Sequence, residues 1–224
     1  MARRPSWRLA AVVLLALVGL SAVAALDGDD PAPTSEAAPA ERFLDAWARS
    51  RAATFRSVSD FTRTSHSTDA ELSDRLVVAQ RPPDRLAIDG DGGTGLVRGR
   101  RLACTYRDRR LVCDEAPAGR TYEDDVTRQL ETLEGYVTGD DPLYTVVAED
   151  LDGPVGECFV LTLARDLFAP PLGTRARYCF DPDIGAPTLT EIERVEADDV
   201  TATVSLEPEV TDADLDPDTA LRDP

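Results

Sequence analysis

Apolar residues recur along this chain with two different periods, and each change of period marks a new element. Over residues 41–53, Phe43, Leu44 and Trp47 fall at helical spacing with Ala48 beside them, while Arg42, Asp45 and Arg49 take the other side. The period then shortens. Residues 55–64, 72–80, 85–89, 95–106 and 110–114 read as strands; Leu72, Leu76 and Val78 share one parity, and Leu86 and Ile88 another. Arg81-Pro82-Pro83-Asp84 and Asp89-Gly90-Asp91-Gly92-Gly93 supply turns between them. Helical spacing returns over 122–139, where Tyr122, Val126, Leu130 and Leu133 are four, four and three residues apart. Strands resume at 143–148, 158–163, 175–180, 189–196 and 199–210. Beyond Thr211 acids alternate with proline without periodicity, the pattern of a disordered tail. A helix, five strands, a helical insertion and five more strands, joined by hairpins, predict an α+β class: one antiparallel sheet with helices on one side.

The N-terminus has a different character. Arg3, Arg4 and Arg8 precede an uncharged, largely apolar run over 9–26, and an acidic, proline-rich linker follows over 27–40. The run is longer than a usual signal-peptide core and just reaches the length that spans a bilayer. Ala22-Val23-Ala24 supplies a small-x-small cleavage site. Two outcomes follow: a single N-terminal membrane anchor, or a secreted protein. Either places the rest of the chain outside the cytoplasm. No cysteine lies near residue 26 to carry a lipid; the first is Cys104. The expected division is a signal or anchor at 1–26, a linker at 27–40, a folded domain at 41–210 and an acidic tail at 211–224.

Charge narrows the partners. All 24 basic residues are arginine, against 42 acids, for a net charge of −18. Such a surface argues against nucleic acid and against electrostatic docking on anionic lipid. The absence of lysine and asparagine reads most simply as the bias of a GC-rich bacterial genome.

Outside the cytoplasm, four cysteines read as disulfides. Four allow three connectivities, and hairpin register selects one. A two-residue turn at Asp108-Arg109 sets Cys104 opposite Cys113 at a non-hydrogen-bonded site, inside disulfide range. Cys158 and Cys179 are likewise symmetric about Phe168-Ala169. The closely spaced cysteine pairs that zinc requires do not occur.

The sequence shows no catalytic constellation, and the chain reads as a non-enzyme without a cofactor or metal. His66, the one histidine, sits in a polar turn without a partnered nucleophile. Asp89-Gly90-Asp91-Gly92 opens like a calcium loop, but Arg100 stands where the loop needs glutamate. In the alternating acids Asp212, Asp214, Asp216 and Asp218, Pro217 stands where it needs glycine.

The N-terminal helix, Phe55-Arg56-Ser57-Val58, the stretch from Leu76 through Arg81-Pro82-Pro83-Asp84-Arg85 to Leu86, and the hairpin closing on 102–106 together resemble the lipoprotein-carrier (LolA-like) superfamily. The resemblance covers about 41–210 by element order. It implies an incomplete β-barrel made of one strongly curved antiparallel sheet, with helices over its open face and acyl chains held in the hollow between. It also implies relatives that carry envelope lipids and others that reuse the fold as envelope-stress sensors. The apolar N-terminal segment and the two disulfides are departures from that pattern. On this resemblance the expected ligand is a lipid or lipoprotein acyl chain. Its candidate lining is Leu76, Val78, Leu86, Ile88, Leu102, Val126, Leu130, Tyr136, Phe159 and Leu161. The helical insertion is expected to act as a lid, its stripe of Tyr122, Val126, Leu130 and Leu133 facing Leu76, Val78, Leu86 and Ile88. The alternative is an envelope sensor or interaction domain with a filled core and a protein partner.

Overall fold

Eleven strands and two helices account for the regular structure of the computed structural model, in which residues 38–150 and 156–219 are described. The expected signal or anchor segment and most of the linker lie outside the described residues, as does the end of the tail. Among the described residues no helix is long and apolar enough to cross a membrane.

Helix α1 (Pro39–Ala52) starts with proline in its first turn, where the missing N–H has no cost. Strands β1 (Phe55–Ser65), β2 (Glu71–Arg81), β3 (Asp84–Ile88), β4 (Gly92–Val97), β5 (Arg100–Arg107) and β6 (Arg110–Glu115) follow. Helix α2 (Tyr122–Val137) opens on a capping box: Asp124 N–H donates to the Thr121 hydroxyl at 3.1 Å, and Thr121 N–H donates to the Asp124 carboxylate at 3.2 Å. Strands β7 (Tyr144–Asp150), β8 (Glu157–Leu163), β9 (Arg175–Phe180), β10 (Pro187–Glu193) and β11 (Ala197–Glu207) complete the chain.

All eleven strands form one open antiparallel sheet in the order β6-β5-β4-β3-β2-β1-β11-β10-β9-β8-β7. Two meanders therefore meet where β1 pairs with β11, the first strand against the last. The periodicity predicts ten strands, and the difference lies in 95–106. That stretch folds back at Arg98 and Gly99, with φ of 51° and 74°, into the hairpin of β4 and β5. A non-glycine residue at the first left-handed position hides this turn from a reading based on glycine pairs.

The sheet curls around α1. Four strand spacings separate β2 from β9, roughly 19 Å in a flat sheet. Yet Ser50 of α1 accepts a hydrogen bond from β2, while Trp47, one helical turn earlier, meets Tyr178 of β9 with ring centroids 5.5 Å apart. One turn advances only about 5 Å. Curvature, together with the reach of the side chains, closes the gap.

The main core lies on the helix-covered face. Phe43 is fully buried and touches Phe159 edge-on at 5.6 Å and Tyr178 at 5.7 Å. Leu133 and Val137 of α2, Tyr144, Leu161, Ala176 and Phe180 join them. Glu157 of β8 ties the helix down, accepting from Arg42 at 3.1 Å and Arg49 at 2.9 Å.

The opposite face has a cover of its own. Ala79, Leu86, Ile88, Val97 and Cys104 pack with Val210 and Leu215. The pattern after Thr211 predicts a disordered tail, but 211–219 form turns against the sheet, and Leu215 is only 3 % exposed. Three arginines hold this strap, Arg98 meeting Asp212 at 3.6 Å beside the two that follow. Arg81 donates to the Val210 carbonyl and to Asp212, and Arg56 pairs with Glu207 and Asp214. A buried leucine and these arginine pairs hold a segment whose composition alone reads as solvated.

Both cross-hairpin disulfides are present. Cys104–Cys113 joins β5 to β6 and Cys158–Cys179 joins β8 to β9, with Cα separations of 4.0 and 4.1 Å. The turn at Asp108 and Arg109, both at positive φ, sets the first register.

Near the central seam, Asp199 of β11 is almost buried. Arg63 donates to it at 2.7 and 3.0 Å, and Arg194 at 2.7 Å. Burial alone would raise its pKa; the Arg194 and Arg63 hydrogen bonds outweigh that and hold it below the usual carboxylate range. A carboxyl lowered on folding contributes stability above its unfolded pKa and loses it as pH falls through the folded value. Urea denaturation between pH 6 and pH 2 should therefore show an acid-side loss that is smaller in Asp199→Asn. An unchanged acid slope in the variant would show that Asp199 is not its source.

Candidate ligand groove

Sequence parity decides what the helix-covered face presents. Along β1 the residues Phe55, Ser57 and Ser59 point the same way, and register carries that face to Gln80, Val78 and Leu76 of β2. It continues through Ala87 and Arg85 of β3 on one side, and Thr203 and Thr201 of β11 on the other. Over the middle strands α1 does not close down completely. A groove of about 270 Å³ remains between Trp47, Ser50 and Arg51 of the helix and the sheet. That is near the lower edge of the roughly 300–1,000 Å³ of small-molecule sites.

Its walls are mixed. Phe55, Leu76, Val78, Tyr178 and Phe180 give apolar surface; Ser57, Ser59, Thr201 and Thr203 give hydroxyls, two of which (Ser59 and Thr203) lie 3.1 Å apart. The end beside β3 is cationic. Gln80, 1 % exposed, donates from Nε2 to the carbonyls of Ser50 at 2.7 Å and Ala53 at 2.9 Å, with a longer approach to Arg51 at 3.4 Å. These are orphan acceptors at the C-terminus of α1, so a β2 side chain caps the helix. The Tyr122 hydroxyl donates to the Arg51 carbonyl at 2.5 Å, and the Arg51 guanidinium lies 5.1 Å above the Tyr122 ring. Arg85, the cross-strand partner of Gln80, stands beside it. Burial first, and then the neighbouring Arg51 charge, bring the Arg85 pKa down to about 10. Burial raises the Tyr122 hydroxyl against the pull of both arginines.

The ten candidate lining residues do not converge on one hollow. Leu76 and Val78 line the groove. Phe159 and Leu161 are fully buried in the main core, and Tyr136 packs beside it, 6.3 Å from the ring of Tyr144. Leu86, Ile88 and Leu102 lie on the opposite face under the C-terminal strap. The reason is register: Val78 pairs with Ala87, so Leu86 and Ile88 point the other way. Val126 and Leu130 are half-buried on α2. The helix over Leu76 and Val78 is α1; α2 packs on α1 and β7, and reaches β3–β5 through a second, polar hollow holding Tyr122, Asp125 and Gln129. Sequence reasoning missed Trp47, Arg51, Ser57, Ser59, Gln80 and Arg85 as wall residues. The signal was available for β1, where serines alternate in phase with Phe55.

No metal-binding cluster of His, Cys, Asp and Glu occurs among the described residues. No family model matches the sequence, and no curated protein matches it. Solved structures do. The chain is similar to the Pseudomonas aeruginosa MucA/MucB complex (13 % identity, covering 80 % of this chain and 61 % of that one, TM-score 0.46). It is also similar to LprF from Mycobacterium bovis (13 %, 77 % and 94 %, TM-score 0.41). A third similar structure is the LolA superfamily protein NE2245 from Nitrosomonas europaea (12 %, 80 % and 98 %, TM-score 0.32). The chain spans about three fifths of the matched chain in the MucA/MucB structure.

Proposed function

We propose that this domain is a non-enzymatic, extracytoplasmic binding protein that holds an acyl chain in the groove between α1 and the central strands. The observation that carries the reading is the groove itself: an unfilled space under a helix, walled on one side by Phe55, Leu76 and Val78. Burying methylenes there yields roughly 0.8 kcal/mol each and needs no polar partner. The volume suits one chain or the end of one, not the several chains of a lipoprotein anchor. The export reading of residues 1–26 and the two disulfides support a location outside the cytoplasm.

Leu76→Trp tests this. The indole should occupy the groove, so native mass spectrometry should find lipid on the unmodified protein and none on the variant, with stability little changed. A loss of about 1–3 kcal/mol, the cost of overpacking a filled core, with no lipid on the unmodified protein, would reject the reading.

A second reading, a module that binds a protein partner, has its own observation. Phe168 projects fully into solvent from the loop between β8 and β9, beside the exposed Leu167. Rejection of the groove would leave that reading standing.

A further inference from the structure

The cationic end of the groove holds donors without acceptors. Arg51 and Arg85 both line it, and the Nε–H of each is buried without a hydrogen-bond acceptor among the described residues. So is the indole N–H of Trp47, one turn before Arg51 on the same helix. Neither arginine pairs with a carboxylate among the described residues, although the chain has 42 acids for 24 arginines. Both arginines also line the adjoining polar hollow, but Asp125, its carboxylate, is already taken by Arg101 at 2.5 Å and Arg120 at 3.8 Å.

Two like charges set side by side and partly withdrawn from water oppose folding unless something compensates them. Here the arrangement is held in place. The Arg51 backbone is bonded by Gln80 and Tyr122, its guanidinium lies over the Tyr122 ring, and Arg85, the second residue of β3, is held by its pairing with Gln80 next to the β2–β3 turn. Paired guanidinium groups present several N–H donors in fixed directions, the geometry that receives a carboxylate or phosphate. From there the wall turns apolar through Phe55, Val78 and Leu76.

We infer that Arg51 and Arg85 bind the anionic head group of a single-chain amphiphile whose tail lies along Phe55, Val78 and Leu76. This rests on the acyl-chain reading of the groove and adds the charge of the ligand. It also explains how a protein of net charge −18 takes an anion: recognition is local, at two cations that the acidic surface does not neutralise.

Calorimetric titration of the full chain with three probes of one chain length, dodecanoate, dodecyl phosphate and dodecanol, tests it. At least one anion should bind about tenfold or more tighter than the alcohol, the value of a charge-assisted contact. Which anion wins identifies a carboxylate or a phosphate head. Arg85→Met and Arg51→Met, each checked for native circular dichroism, should reduce that anion to the affinity of the alcohol and leave the alcohol unchanged, and Arg85→Lys should restore part of the difference. Equal affinity for anions and alcohol would overturn the head-group assignment while leaving the acyl groove in place. Binding of none of the three would overturn both. Anion binding unchanged in both methionine variants would place the anion elsewhere and overturn the proposal.

Discussion

Phe43→Ala should lower the stability of the domain by about 3–5 kcal/mol, the range for truncating a fully buried phenylalanine. Phe43 is 0 % exposed and its ring meets three others, Trp47, Phe159 and Tyr178, at centroid distances of 5.6 to 6.0 Å. With Trp47, it forms the aromatic contact by which α1 grips β8 and β9. The walls around it come from two strands and two helices, so the space left behind cannot close by a shift of one element. Urea denaturation of the variant measures the effect. A loss below about 1.5 kcal/mol would mean that the helix is free to settle into the gap, with its hold on the sheet coming from Arg42, Arg49 and Glu157 instead.

Gln80→Leu should cost about 2–4 kcal/mol by a different route. Leucine fills nearly the same volume but donates nothing, leaving the buried Ser50 carbonyl without its partner, at about 1–3 kcal/mol, and the half-buried Ala53 carbonyl without its own, at less. The damage should be local as well as global. Amide exchange in the last turn of α1 should quicken more than exchange in β8 and β9, because those strands are held by the Phe43 end. Uniform acceleration through the sheet would show that Gln80 supports the fold as a whole and is not a cap.

Much of this architecture could be read from the chain, and the exceptions have physical causes. Both helices and nearly all strands follow from periodicity, because along most elements the apolar residues keep a single period. The Cys104–Cys113 pairing follows from a two-residue turn, since register in a hairpin is counted outward from its tip. The split at Arg98 was hidden because arginine is a poor signal for a left-handed turn residue. The groove was hidden for a deeper reason. Period-2 alternation separates the two faces of a strand but does not say which face of one strand continues which face of the next. Leu86 and Val78 look equivalent in sequence, and only the pairing of Val78 with Ala87 sends them to opposite sides. Gln80 is harder still, because glutamine in a strand ordinarily means solvent.

The pairing of β1 with β11 has a consequence for how the molecule comes into being. Each meander is built from neighbours in the chain, and each disulfide joins two adjacent strands, so either half forms from local contacts. The seam between Arg56 and Glu207 at one end and Ser65 and Ala197 at the other is the opposite case. It joins the beginning of the domain to its end, and long-range closure of this kind is the slow part of β-protein folding. Until the last strand arrives, β1 is an open edge with unpaired amides, and the floor beneath α1 is missing its β11 half. Assembly of the groove is therefore a late event. A chain halted before β11 would carry α1 and half of the binding wall, together with a strand edge free to pair with another copy.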